Sequence, residues 1–179
     1  SIEAQILYDA DKIDVCGATG IARTLLYQGR SNGALYAAIV QIMMRDKTYN
    51  ADAISFTTQK AAVEGGYGAY TNATYLVIVD ENHPNYRKLM RAADAGIDAP
   101  EEKDKDGKAV EQYVVIDAAT GQPALHSACS KGTLEFEGEV NGVAVRTGFS
   151  LLTETVNEYT MDEYAEITGV SVEDLERIA

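Results

Sequence analysis

Thr74-Tyr-Leu-Val-Ile-Val-Asp80 is a seven-residue run of β-branched, aromatic and aliphatic side chains bounded by polar residues. It is too short and too uniformly apolar for an amphipathic helix, so it reads as a buried strand. Working outward, Tyr113-Val-Val-Ile-Asp117 repeats the pattern and leads into a turn at Thr120-Gly121. Thr133 to Val140 and Val143 to Thr147 flank Asn141-Gly142, a strong hairpin signal because both turn positions favour residues that accept positive φ. Helical spacing appears on both sides of these strands. Leu35, Ala38, Ile39, Ile42 and Met43 mark a helix over 34–46, with Ser31 or Asn32 as its cap. Pro84 suits the first turn of a helix through Ala95. Further helices are expected over 149–157, over 161–168 with Gly169 as the stop, and from Val172 onward. The class is therefore α/β, with short strands packed on helices. Strands 74–80 and 113–117 are expected to rest on the helix that follows Gly33.

With 179 residues and 46% hydrophobic content, the chain has material for one packed core, and no internal repeat is visible. Fifteen Lys and Arg against 28 Asp and Glu give a net charge of −13, so a phosphate backbone is repelled and nucleic acid is not an expected partner. No apolar run approaches the roughly 20 residues that span a bilayer, and Ser-Ile-Glu-Ala at the start lacks the pattern of a signal peptide. A soluble chain without membrane insertion is the expectation. Ser1 in place of Met and an uncapped final amphipathic helix lead us to expect a piece of a longer protein.

Candidate sites are sparse. Cys16 and Cys129 cannot form a disulfide framework or a Cys-x-x-Cys metal pair. His126 and Cys129 form a His-x-x-Cys without a second ligand pair, for which a surface turn is the better reading. Glu102, Asp104, Asp106 and Gly107 match the start of a calcium loop, yet its twelfth position is Tyr113, so 99–112 reads as a solvated loop. Gly65-Gly-Tyr-Gly68 lacks the order and preceding strand of a dinucleotide turn and reads as a flexible loop. Asn72-Ala-Thr74 matches a glycosylation pattern without a secretory context to support it. Asp9, Asp11 and Asp14 do not share one helical face, so they do not make a self-contained metal site.

Two resemblances go further. Ile6 to Tyr27, with Asp9-Ala-Asp-Lys-Ile-Asp14 and Gly17-Ala-Thr-Gly-Ile-Ala-Arg23, closely resembles the last metal-binding helical segment of HD-type metal phosphohydrolases. The resemblance implies that Asp11 is a metal ligand. The His and His-Asp ligands of that family are absent here, and one carboxylate cannot hold a catalytic ion or activate its water.

Gly33 to Ala179 is similar to the catalytic subunit of molybdopterin oxidoreductases of the dimethyl-sulfoxide-reductase superfamily, and most of all to tetrathionate reductase large subunits. The residues that carry this are Gly33-Ala-Leu-Tyr-Ala-Ala-Ile-Val-Gln-Ile-Met-Met-Arg-Asp-Lys-Thr-Tyr-Asn-Ala-Asp52, Tyr70 to Asp80, Val114 to Gly121, and Thr160-Met-Asp-Glu-Tyr-Ala-Glu-Ile-Thr-Gly-Val170 with the helix after it. The resemblance implies a partial molybdopterin-oxidoreductase domain at 33–179, preceded by an HD-like helical remnant at 1–29. It further implies molybdenum or tungsten on two pterin guanine dinucleotides, and two-electron reduction of a small oxidised sulfur compound such as tetrathionate in anaerobic respiration. The implied partners are an iron–sulfur electron-transfer subunit together with the rest of the catalytic subunit, in a bacterial periplasmic or membrane-associated complex. The family's Gly-Thr-Asp before Gly33 is replaced by Arg30-Ser-Asn32, so Ser31 and Asn32 are the implied dinucleotide contacts, with hydrogen-bonding capacity but no carboxylate. No catalytic residue is implied within the chain, and the isolated chain is expected to be inactive. An HD phosphohydrolase remnant and a non-catalytic interaction domain are the alternatives.

Overall fold

A computed structural model describes residues 30–179 except 102, 104, 105 and 108. The expected helical remnant at 1–29 lies outside the described residues. Eleven described elements run in the order α1 (Arg30–Asp46), α2 (Ala51–Ser55), α3 (Gln59–Glu64), β1 (Leu76–Ile78), β2 (Val114–Ile116), β3 (Pro123–Leu125), β4 (Glu137–Val140), β5 (Val143–Thr147), α4 (Gly148–Val156), α5 (Met161–Thr168) and α6 (Val172–Ile178). They form two compact units, one from the residues before Asp52 together with 151–179, the other from 52–150.

In the helical unit, α1 buries Ala37, Ala38, Val40 and Ile42 against Leu152 and Val156 of α4, Tyr164 of α5 and Leu175 of α6. The spacing is helical, but the buried face is rotated from the one expected, because Ile39 and Met43 are only half-buried. Within this unit α1 takes its apolar partners from the three C-terminal helices, where the sequence pattern leads one to expect strands. Polar groups pin the intervening turn: Gln41 Nε2 donates to Val156 O (3.0 Å) and Tyr159 O (2.9 Å), and the Tyr164 hydroxyl donates to Val156 O (3.0 Å). These bonds satisfy carbonyls at the end of α4 that lack an intrahelical partner.

The β unit is antiparallel throughout. A three-stranded sheet has the order β1-β5-β4, with Leu76 opposite Thr147 and Val140 opposite Val143, while β2 pairs with β3, placing Val114 opposite Leu125. The hairpin between β4 and β5 turns as expected at Asn141 (φ 53°) and Gly142 (φ 74°). Leu76, Ile78, Met90, Ala95, Val114, Ile116, Val140 and Val145 make the core. The mixed helix-and-strand class agrees with the sequence reading, although the strands are shorter than expected.

Residues 84–95 are not the expected helix. Arg87 N donates to Ile78 O (2.9 Å), Ile78 N to Lys88 O (3.0 Å) and Met90 N to Leu76 O (2.7 Å), so the segment turns back alongside β1. Its backbone groups are spent on that pairing, and fully buried Met90 gains more from the sheet core than from a surface helix. The Gly-rich run also has a definite role. Gly65 caps α3, and a Cβ there would lie 2.2 Å from Phe56 Cζ, so the run is a helix stop packed on an aromatic ring.

Candidate functional site

Two polar constellations lie in the β unit. The first is built where Tyr75, ahead of β1, pairs with Val115 of β2, and where β3 brings His126 back beside Tyr113. The Tyr75 ring lies 5.7 Å from that of Tyr113 and 5.3 Å from His126, and Tyr113 and His126 are 5.8 Å apart. The Tyr75 hydroxyl donates to Thr57 O (2.7 Å), and Thr57 Oγ1 donates to Cys129 O. Burial first, and then neighbouring Tyr70, hold the Tyr75 phenol far above its ordinary range, so it stays protonated. His126 Nδ1 accepts from Tyr113 N (3.1 Å), which commits that ring nitrogen to the fold. Burial, followed by the charge of Asp117, pushes the Cys129 thiol up, so it is a poor thiolate nucleophile or metal ligand. The His-x-x-Cys is thus a packed structural corner, in keeping with the rejection of zinc.

The second constellation follows β1. Asp80 Oδ1 accepts from Asn82 N (2.9 Å), and His83 Nδ1 accepts from Asn85 N (3.1 Å). Asp94 accepts from Asn85 Nδ2 (3.0 Å) and Arg91 N (3.0 Å), and its Oδ1 stands 4.0 Å from His83 Nε2. Spacing alone gave no sign of this pairing, because it depends on 87–91 folding back along β1.

The candidate residues named from sequence are not gathered into one centre. Asp9, Asp11, Asp14 and Cys16 lie outside the described residues, as do Glu102 and Asp104. Ser31 and Asn32 lie in the first turn of α1, inside the helix rather than at its cap. Among the described residues no group of three or more His, Cys, Asp or Glu could hold a metal ion. Asn72 Oδ1 and Thr74 Oγ1 are enclosed without a hydrogen-bond partner. They do not fit a pterin, because a Cβ at Gly132 would meet Thr74 Cβ at 2.7 Å, so Thr74 itself fills the space beside that glycine. Room for a single bridging water is the most such an enclosed site offers. Apart from Ser31 and Asn32, these orphaned groups and polar clusters show no cradle for a large cofactor, and no reaction step is built on one. No described helix is long and apolar enough to cross a membrane.

No model of a known protein family matches the chain. It is similar to a selenate reductase polypeptide of Mesobacillus selenatarsenatis, with 26% identity over 154 residues that cover 83% of this chain and 14% of that protein. It is also similar to a tetrathionate reductase polypeptide of Salmonella typhimurium, with 28% identity over 143 residues that cover 78% of this chain and 13% of that protein. The chain thus spans about one seventh of the length of these curated relatives. Both are the catalytic subunits of molybdenum-dependent reductases, as the resemblance of 33–179 led us to expect, and neither is a phosphohydrolase.

Proposed function

We propose that the chain is a scaffold portion of the catalytic subunit of a molybdenum- or tungsten-dependent bis-pterin oxidoreductase that reduces a small oxidised sulfur compound such as tetrathionate. One observation carries the reading: similarity along some four fifths of the chain to the catalytic subunits of two reductases, both named for oxyanion substrates. Selenate is the second substrate reading, favoured by the first of those relatives. In the whole subunit the cofactor would supply the two-electron chemistry. This portion would contribute packing and, through Ser31 and Asn32, hydrogen bonds to a dinucleotide. An iron–sulfur subunit would pass electrons, and a bacterial periplasmic or membrane-associated complex is the proposed setting.

The test begins with the 179-residue chain alone. Incubated with tetrathionate or selenate and a reduced dye as electron donor, it is expected to show no dye oxidation above background, and turnover would refute the scaffold reading. The open reading frame to either side should then be expressed and its metal and pterin content measured. Bound molybdenum or tungsten with pterin is the expected result. A divalent ion lost on Asp11→Ala, with no pterin, would support the phosphohydrolase remnant, and neither group would support an interaction domain.

A further inference from the structure

The chain carries almost two acidic groups for each Lys or Arg. Most described cations accordingly sit beside a carboxylate: Arg45 with Glu176, Lys60 with Glu64, Arg91 with Glu111, Lys131 with Asp52, Arg146 with Glu137 and Arg177 with Asp174. Arg87 and Lys88 are adjacent, exposed and differently placed. The Arg87 guanidinium lies over the Tyr86 ring, 5.3 Å from its centroid, and Lys88 Nζ lies 3.5 Å from Asn85 Oδ1. Among the described residues no carboxylate pairs with either.

Their presentation is fixed by the fold. Arg87 has φ 61°, a left-handed conformation that glycine adopts freely and arginine adopts only at a cost. Arg87 N→Ile78 O, Ile78 N→Lys88 O and Lys88 N→Asn85 O hold the turn against β1. Asn85 is anchored in turn by Asp94 and His83, so the oxygen facing Lys88 belongs to a side chain that is already tied down. The nearby acids are engaged: Asp94 takes Asn85 and Arg91 N, Asp80 takes Asn82 N, and Glu111 takes Arg91, leaving Glu81 as the exposed carboxylate of this turn. A planar guanidinium beside an ammonium on a rigid turn is a match for a tetrahedral, doubly charged oxyanion, whose oxygens accept from both.

We propose that the turn Asn85–Lys88 binds a small divalent oxyanion of the sulfate type, with Arg87 and Lys88 as its charge partners and Asn85 orienting Lys88. Two cations do not make a track for a nucleic-acid backbone, so the reading from net charge stands beside this one. The inference does not rest on the reductase reading, and its test uses no electron donor, so the two fail separately.

Sodium sulfate should be titrated into the 179-residue chain at constant ionic strength maintained with sodium chloride, with amide NMR shifts as the readout. Saturable shifts centred on Asn85 to Leu89 are expected. Arg87→Gly, which places the residue best suited to that φ, should weaken binding about tenfold or more without lowering the melting temperature. Lys88→Gln, at an exposed position, should weaken it as well. Shifts that do not saturate, that chloride reproduces at equal ionic strength, or that survive both substitutions unchanged would overturn the proposal.

Discussion

The helix α5 and the turn after β1 have similar lengths and opposite origins. Around α5, neighbours in sequence supply both ends. Thr160 Oγ1 accepts from Glu163 N (3.3 Å), the Glu163 carboxylate accepts from Thr160 N (2.7 Å), and Gly169 at φ 70° ends the helix. The residues 84–95 carry a comparable start signal in Pro84, yet they follow β1 because Leu76, Ile78 and Met90 close a core whose other walls come from β2, β4 and β5. Local signals prevail where a short element can satisfy its backbone alone, and non-local pairing prevails where an apolar residue has a sheet to join. The helical unit should therefore lose stability mainly through caps and single core side chains. The β unit should also lose it through glycines that permit close approach.

Core truncation should give the largest effects and sharpen the contrast least. Met90→Ala and Leu175→Ala each empty a fully buried position, one in each unit, and should cost about 2–5 kcal/mol by denaturant titration. A loss below about 1 kcal/mol for Met90→Ala would contradict the sheet-core account of 84–95.

Gly132→Ala comes next and bears directly on the comparison. The added Cβ would lie 2.7 Å from that of fully buried Thr74, and the backbone around it is tied by Gly132 N→Ser55 O (2.9 Å). A loss of about 1–3 kcal/mol is expected. A neutral outcome would show that this close approach relaxes freely.

Smaller changes are expected at α5. Thr160→Ala should cost about 1 kcal/mol, and Gly169→Ala a similar amount, because alanine is strained at that φ. The two losses should be readable in the far-ultraviolet dichroism melt. Equal losses from such substitutions at the turn of 84–87 would break the contrast.

A pH effect should accompany the capping box. Bonds from the Thr160 backbone and then its side chain hold the Glu163 carboxyl below the ordinary Glu range. A lowered folded-state value means that the contribution is present above the unfolded-state value and is lost as the pH falls through the folded one. Glu163→Gln should therefore flatten the acid limb of the stability curve of α5 and leave the neutral-to-alkaline limb nearly parallel to the parent. A steeper acid limb would reverse the sign of this assignment.

Elements whose signals are contiguous were legible in the sequence. Asn141-Gly142 dictated the hairpin because both positions require positive φ, and Thr160, Glu163, Gly169 and Ser171 set the ends of α5 and the start of α6. Ligand count likewise excluded a zinc site at His126 and Cys129. The strand β3 escaped notice because Pro123 opens it, and α2 and α3 because five and six residues show too little of a helical period. Packing set the course of 84–95, the seating of α1 on the C-terminal helices, and the meeting of His83 with Asp94 and of Tyr75 with His126. Those outcomes join residues remote in sequence or turned by a fold-back. They depend on which apolar surface is available to be covered, and that property belongs to the assembled unit rather than to a window of the chain.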